Sequence, residues 1–464
     1  MSSQPQLTVS GYRGIWGETL TPEIARRYAH AFGLFILSGP KQGLGPEMTI
    51  LLGRDGRESG TDIIEAIIEE LDALGVNYIN GDILPTPTVL FAVRKHEYDG
   101  AIIVTASHNP IEYNGLKFVT DRALFTDENE VEKIKKYYEE EEHIVLNRIS
   151  RADKNNMSSE SPVPNFPREH ADHILKNIDV ASIQSQKFKV AVDMINASAC
   201  VVDPYLFSQL NIELIPLNDI PNGKFTHKPE PLKENLSEIA QLVKSSGSDV
   251  GFAHDPDADR LVVIDETGTI ISEEHTLALG VENVLSKYHN HDVVINMSTS
   301  QMNCDIAQKY GGKCIRTKVG EANVVSGIIE NQAIIGGEGG GSSIYPTINT
   351  ARDSFVSLAL VLELMAKRNQ KASICVSELP KYFMRKDKMP VSGTLEKIYN
   401  KMKLHFKDAK TNELDGLRLD FSDSSWIHLR PSNTEPIIRL IGESKTQEQL
   451  DNLFETITLL AYNI

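Results

Sequence analysis

Three aspartates at alternating positions, in Asp255-Pro256-Asp257-Ala258-Asp259-Arg260, are the densest run of ligand chemistry in the sequence. In an extended loop, residues two apart point the same way, so the three carboxylates converge. Oxygen-only donors suit a hard cation such as Mg²⁺, which takes few protein carboxylates and completes its shell with water or phosphate oxygens. Arg260 would relieve the excess negative charge, and a phosphoryl group is a natural further ligand. An EF-hand is excluded, because the sixth position of such a loop is Arg260 where glycine is required. The competing reading is an Asp-rich turn that only solvates a loop.

Three other stretches carry candidate chemistry. In Ile102-Ile103-Val104-Thr105-Ala106-Ser107-His108-Asn109-Pro110 an apolar β-branched run reads as a buried strand, and Asn109-Pro110 forces a turn. Ser107 thus sits at a strand exit, where rigid backbone presents a hydroxyl; a serine that merely begins a loop is the plainer reading. Gly336-Gly337-Glu338-Gly339-Gly340-Gly341-Ser342-Ser343 lets a ligand approach the backbone, with Glu338 placed to accept from vicinal hydroxyls. It reads equally well as a hinge, and neither Rossmann nor P-loop spacing is present. Arg430-Pro431-Ser432-Asn433-Thr434-Glu435-Pro436 offers a guanidinium, two hydroxyls and an amide, the donors a phosphate dianion wants, and Arg439 lies just beyond. A surface turn is the alternative there. Gly11-Tyr12-Arg13-Gly14 and Gly53-Arg54-Asp55-Gly56-Arg57 each read, in isolation, as a tight turn with a surface arginine.

These loops need a scaffold, and the rhythm between them is strand and helix in alternation. Thr21-Pro22-Glu23 is a helix start, with Thr as cap, Pro at the first position and an acid in the first turn. The expected order is helix 21–37, strand 48–52, helix 61–74, and strands 78–80 and 100–104. A second unit has strands 188–192, 212–215 and 250–253 with helices 199–210 and 236–243. A third has strands 293–297, 314–316 and 333–335 with helices 302–310 and 322–329. After about Tyr382 the pattern changes to strands 417–421, 426–429 and 437–441, flanked by helices 395–406 and 447–460. Residues 139–142 read as a solvated helix end and 150–164 as a linker. The expected fold is α/β: three successive mixed-sheet α/β domains (1–150, 165–268, 269–380) and a smaller C-terminal α+β domain (383–464), arranged around a central cleft.

Composition bounds the function. A chain of 464 residues exceeds what one core supports, and 41% hydrophobic with 24% charged residues is ordinary for a globular protein. A net charge of −17 argues against a nucleic-acid partner. Cys200, Cys304, Cys314 and Cys375 form no CxxC pair, so neither a zinc nor a disulfide framework is expected and a reducing cytoplasm fits. Met1-Ser2-Ser3-Gln4-Pro5 has no positive and apolar leader pattern, and no run of 18 apolar residues occurs, so no membrane partner is expected.

With Asn114-Gly115-Leu116-Lys117 added, the four loops in this order resemble the α-D-phosphohexomutase superfamily across nearly the whole chain. The resemblance implies that Ser107 is carried as a phosphoserine, the phosphoryl donor, and that Asp255, Asp257 and Asp259 bind Mg²⁺ together with the Ser107 phosphate. It implies that Glu338 reads sugar hydroxyls and that Arg430, Ser432, Asn433 and Thr434, helped by Arg439, hold the phosphate that does not react. Arg13, His108 and Lys117 would surround the moving phosphoryl, and Lys318 would contact the substrate. The partner is then a small sugar phosphate, with a hexosamine or hexose 1,6-bisphosphate as intermediate and activator, and Lys117 or His108 as the base.

Departures bear on the sugar. Many relatives have Gly-Glu-X-Ser-Gly-His, where this chain has Gly340 and Ser342 at the Ser and His positions. With Ile344-Tyr345-Pro346 and Arg352-Asp353, the loop resembles the phosphoglucosamine mutase branch; a phosphomannomutase/phosphoglucomutase is the alternative. Glu321 stands where some phosphomannomutases have a histidine, and an acid there suits a 2-ammonium group. A non-catalytic sugar-phosphate sensor has no need of a phosphorylatable serine beside a metal site, and a phosphatase none of a second phosphate clamp.

Overall fold

The computed structural model describes residues 7–39, 48–140, 163–390, 394–431 and 437–462. The chain divides into two compact units, Met1–Ser272 with Ile344–Ile374, and Glu273–Ser343 with Cys375–Ile464.

In the first unit, one mixed sheet holds β1 (Tyr12–Ile15), β2 (Thr49–Arg54), β3 (Asn77–Ile83), β4 (Gly100–Val104) and β5 (Tyr113–Thr120), in the order β1-β5-β4-β2-β3. Strand β4 runs parallel to β2 and antiparallel to β5. Its alternation sends Ile102 and Val104 into a core with Phe32, Ile67 and Phe118, and Ala101 and Ile103 into another with Val89, Val93 and Phe166. A strand buried on both faces must be apolar throughout, which is why Gly-Ala-Ile-Ile-Val was legible. Helices α1 (Pro22–Leu37), α2 (Gly60–Leu74), α3 (Thr86–His96) and α4 (Glu128–Glu140) accompany the sheet. Thr21 caps α1 by accepting from the Ile24 N–H, as its sequence predicts.

The second mixed sheet of this unit comprises β6 (Lys189–Asp193), β7 (Glu213–Leu217), β8 (Val250–His254) and β9 (Leu261–Asp265), ordered β7-β6-β8-β9, with α5 (Phe166–Lys176), α6 (Val180–Gln186), α7 (Asp203–Gln209) and α8 (Ser237–Ser246). The helix expected over 199–210 is interrupted: a 3₁₀ turn over Ser198–Val201 precedes α7, because Pro204 lacks the N–H that a continuous helix needs.

In the second unit, α9 (Glu273–Lys287), β10 (Val293–Asn296), α10 (Met302–Lys309), β11 (Cys314–Thr317), α11 (Glu321–Asn331) and β12 (Ile335–Gly337) lead to the two-residue β13 (Ser343–Ile344). Strand β10 runs parallel to both β11 and β12. Beyond α12 (Ser354–Arg368) of the first unit and α13 (Ala372–Ser377) lies an antiparallel sheet. It has β14 (Phe383–Pro390), β15 (Lys410–Asn412), β16 (Leu417–Asp420), β17 (Trp426–Pro431) and β18 (Ile437–Ser444), ordered β14-β18-β17-β16-β15 and packed with α14 (Leu395–His405) and α15 (Gln447–Tyr462). The four sheets among the described residues give the α/β class expected, with the antiparallel sheet and its two helices at the C-terminus.

One expectation is overturned. Cys304 and Cys314 are joined as a disulfide, their Cα atoms 4.9 Å apart, although no pairing was expected. The turn from α10 back into β11 brings them together across ten residues, a proximity that CxxC counting does not register. The linker expected at 150–164 lies outside the described residues except for its last two.

Candidate functional site

Ser107 follows β4 with φ +51°, a left-handed conformation that an L residue holds only when its surroundings fix it. Those surroundings are specific. The Thr105 hydroxyl accepts from the Ser107 N–H at 2.8 Å and donates to Asp55 Oδ2 at 2.7 Å. Arg57, expected as a surface arginine, is fully buried instead. Its five N–H groups donate to the carbonyls of Ser107, Asn109, Pro110 and Tyr113 and to Asp55 Oδ2, all within 3.0 Å. Every donor of the fork is therefore used to hold the serine loop. Gly115 on β5 is equally constrained, since a Cβ there would lie 2.5 Å from the Tyr12 carbonyl oxygen and 2.6 Å from that of Thr105.

The aspartate loop leaves β8, and its carboxylates converge as the alternation predicts: one oxygen from each of Asp255, Asp257 and Asp259 lies within 4.8 Å of the others. Ser107 Oγ donates to Asp255 Oδ2 at 3.1 Å and lies 3.2 Å from His108 Nδ1. Lys117 Nζ on β5 contacts Asp257 Oδ2 at 2.7 Å and Asp259 Oδ2 at 3.4 Å. Arg352 Nη2 reaches Asp259 Oδ2 at 2.7 Å, and Arg13 Nη1 donates to Asn109 Oδ1 at 2.9 Å. Thus the structure brings Ser107, His108, Lys117 and the three aspartates together, with Arg13 of β1 bonded to Asn109 of the serine loop. Thr86 and Arg352 were not assigned from the sequence. Thr86, at the start of α3, gives its hydroxyl to Asp257 Oδ2 at 2.7 Å and its N–H to the Asp257 carbonyl.

Burial sets the charge states. It pushes the Asp255 carboxyl well up, and the adjacent Asp257 and Asp259 carboxylates push the same way. Burial would raise Asp257 too, but the Lys117 ammonium in contact with it prevails and holds it below the usual range. Lys117 is raised in return: burial opposes its charge, and Asp257 and Asp259 outweigh burial. His108 is pushed down to about 2 by burial, then by Arg260 and Arg13. Burial likewise lowers the Arg13 guanidinium, against the pull of Asp257 and Asp259.

The donor set fits a hard divalent cation. Asp257 Oδ1 and Asp259 Oδ1 are buried without a hydrogen-bond partner, and a buried carboxylate oxygen left so is costly unless a cation serves it.

The other candidate residues belong to the second unit. Glu338 Oε1, on the loop after β12, accepts from Asn296 Nδ2 and from the Gly320 N–H, both at 2.8 Å. Lys318 is exposed on the same 317–320 turn. Arg430, at the end of β17, is half-buried and donates from Nε to Asp415 Oδ1 at 3.0 Å. Arg439 on β18 lies directly opposite Arg430 in the register, and Lys388 on β14 directly opposite Arg439. Like charges paired across strands are unfavourable, and Asp415 answers the one on Arg430. Ser432, Asn433 and Thr434 lie outside the described residues.

The comparisons agree with this architecture. Four models of the phosphoglucomutase/phosphomannomutase family match in order: α/β/α domain I over 5–144, domain II over 168–268, domain III over 272–383 and the C-terminal domain over 391–460. A phosphoglucomutase/phosphomannomutase of Thermococcus kodakarensis is 34% identical, over 96% of both chains. A probable phosphoglucosamine mutase of Pyrococcus abyssi is 33% identical, over 96% of this chain and 95% of its own. Among solved structures, a phosphoglucomutase/phosphomannomutase family protein of Burkholderia thailandensis superposes with TM-score 0.83 at 25% identity, covering 99% of this chain and 97% of its own. Fold and comparisons define an enzyme that transfers a phosphoryl group within one molecule, an isomerase. The chain belongs to the phosphoglucomutase/phosphomannomutase family. No helix among the described residues is long and apolar enough to cross a membrane.

Proposed function

We propose that the protein interconverts glucosamine 6-phosphate and glucosamine 1-phosphate through a phosphoserine at Ser107. The observation that carries this reading is the Ser107 hydroxyl 3.1 Å from Asp255, beside a buried carboxylate triad and Lys117. Mg²⁺ held by Asp255, Asp257 and Asp259 would supply charge neutralisation to the phosphoryl group, the main requirement of phosphoryl transfer.

The chain's own residues do the rest. Arg13, Lys117, Arg260 and Arg352 balance the charge of the three carboxylates and of the phosphoryl group on Ser107. A sugar hydroxyl attacks that phosphorus, the bond to Ser107 Oγ breaks, and the hydroxyl proton passes by way of neutral His108 to Ser107 Oγ, while Lys117, held as an ammonium by Asp257 and Asp259, receives none. The product is the 1,6-bisphosphate. After it turns over, its other phosphoryl group returns to Ser107 Oγ and the proton returns to the freed sugar oxygen. Glu338 reads the hydroxyls; Lys318, Arg430, Arg439, Ser432, Asn433 and Thr434 hold the substrate and its unreacting phosphate. The domains that deliver these loops are 1–150, 165–268, 269–380 and 383–464.

The probable phosphoglucosamine mutase at 33% identity and the Gly340/Ser342 form of the sugar loop support the amino sugar. Glu321 at the start of α11 supplies an acid for a 2-ammonium group. The relative at 34% identity supports the second reading, a phosphoglucomutase/phosphomannomutase.

Two measurements test the proposal. Ser107→Ala should reduce turnover by at least about 10⁴-fold, as loss of a covalent nucleophile does, with an unchanged melting temperature. Intact mass should lose the one phosphate that peptide mapping places on Ser107 in the wild type. Retained mutase activity would refute the role of Ser107. kcat/KM should be highest for glucosamine 6-phosphate among the glucosamine, glucose and mannose 6-phosphates, and a clear preference for a neutral sugar would favour the second reading.

A further inference from the structure

Asp415, in the turn between β15 and β16, has no part in the chemistry above, yet hydrogen bonds converge on it. Its Oδ1 accepts from Arg430 Nε at 3.0 Å, and its Oδ2 accepts from the Val319 N–H at 2.8 Å. The next N–H along, that of Gly320, donates to Glu338 Oε1, which also accepts from Asn296 Nδ2. Asn296 Oδ1 accepts from the Ser298 N–H at 2.7 Å, and Ser298 Oγ lies 2.9 Å from His428 Nδ1. His428 Nε2 closes the circuit on the Asp415 carbonyl, which can only accept, so Nε2 carries the proton and Nδ1 accepts from Ser298. Gly416 holds the turn with φ +83°, where a Cβ would sit 2.3 Å from the Leu429 carbonyl oxygen.

We infer that Asp415 is a positioning residue for sugar-phosphate binding: it orients Arg430 through Nε and locks that arginine to the turn carrying Lys318 and to Glu338. The inference rests on the roles proposed above for Arg430 and Glu338. Fixing a guanidinium by its Nε leaves the two Nη groups as a preset fork, the geometry that grips a phosphate bidentately. The row Lys388, Arg439 and Arg430 gives the phosphate its charge, and Asp415 sits at the Arg430 end of that row. The second carboxylate oxygen sets the spacing between the phosphate-holding strand and the Lys318 turn. A ligand with a phosphate and hydroxyls at matching separation meets both ends without reordering either, which is where preorganisation gains affinity.

Asparagine keeps the shape of Asp415 but offers a single acceptor oxygen, so it satisfies Arg430 or Val319 and not both. Calorimetry with glucosamine 6-phosphate should therefore show about tenfold weaker binding to Asp415→Asn, the scale of one charged hydrogen bond. KM should rise in parallel while kcat stays within about threefold, as expected where binding is lost equally in ground and transition states. The apparent affinity for Mg²⁺ should not change. Adding Asp415→Asn to Arg430→Met should cause no further loss, because the carboxylate acts through the arginine. Should Asp415→Asn fold poorly, Asp415→Glu keeps both acceptors on a longer arm and should still weaken binding. Unchanged affinity in a folded variant, or losses that add in the double variant, would overturn the inference while leaving the proposed reaction standing. A wild type that binds glucosamine 6-phosphate and obeys these expectations without turning it over would do the reverse. If the wild type does not bind the sugar phosphate at all, both fail.

Discussion

Around Ser107 the carboxylates are buried and answered by charge: Lys117 on Asp257, Arg352 on Asp259, Thr86 behind them. Around Glu338 the partners are a backbone N–H and an amide, and Arg430 and Asp415 remain partly exposed. Burying opposed charges is costly unless each is paired, so the first arrangement is rigid and needs its cations in place. The second lies nearer water, so its Arg430–Asp415 ion pair sets geometry while contributing less to stability than a buried one. The difference suits the two tasks proposed for these residues. A phosphoryl group in transfer needs fixed charges in a dry setting. A substrate that must be held by either phosphate needs a grip that releases.

Asp257→Asn should break the first arrangement hardest. It removes a carboxylate of the triad and the partner of Lys117 at once. Titration calorimetry should show Mg²⁺ affinity falling by more than about 100-fold, beyond what loss of an outer hydrogen-bond partner causes. Affinity within tenfold of wild type would remove the triad as the cation site.

A pair of arginines sharpens the contrast. Arg57→Met strips five hydrogen bonds from a guanidinium with no exposure and leaves Asp55 buried without its cation. Chemical denaturation should show a loss of about 3–5 kcal/mol. Arg430→Met, at a partly exposed ion pair, should lose no more than about 1 kcal/mol. Equal losses would mean the two regions do not differ in the way their burial implies.

The same contrast decides what the sequence disclosed. Ser107 and the aspartates were legible because each follows a strand whose apolar run announces it, and the carboxylates lie within five residues of one another. Arg57 was not, since its carbonyl acceptors lie fifty or more residues away and no local pattern separates a buried guanidinium from a surface one. Thr86 reaches Asp257 across 171 residues, and Arg352 reaches Asp259 across 93. Helix α3 went unassigned, although Pro87 falls in its first turn, where proline is tolerated. Strand β14, Phe-Met-Arg-Lys-Asp-Lys-Met-Pro, lies at a sheet edge with mostly exposed side chains, so it carries no apolar alternation to find. Burial alone did not decide it: β5, buried along most of its length, went unread, while the partly exposed β7 and β11 were read.

Some carboxylates of the second unit are buried instead, Glu274 and Glu443 among them. Glu274, near the start of α9, is buried beneath the glycine loop: a Cβ on Gly339 would lie 1.9 Å from Glu274 Oε1, and Glu274 Oε2 accepts from the Ser300 N–H at 2.9 Å. Burial raises its carboxyl from 4.5 to about 7, against the pull of the Lys386 ammonium 3.4 Å away. The sign follows directly. Between pH 4.5 and about 7 the folded chain holds this proton and the unfolded chain does not. The stabilisation linked to it is complete below pH 4.5 and is lost as pH rises through about 7, with a slope of at most about 1.4 kcal/mol per pH unit. Glutamine cannot titrate, so Glu274→Gln should lack that decline. Neutral His108 contributes the opposite slope, losing stability as pH falls below 6.5, and is common to both proteins. The difference between the wild-type and Glu274→Gln denaturation curves from pH 5 to pH 8 therefore isolates Glu274. Parallel profiles would mean that the exposed Lys386 keeps the buried carboxylate ionised.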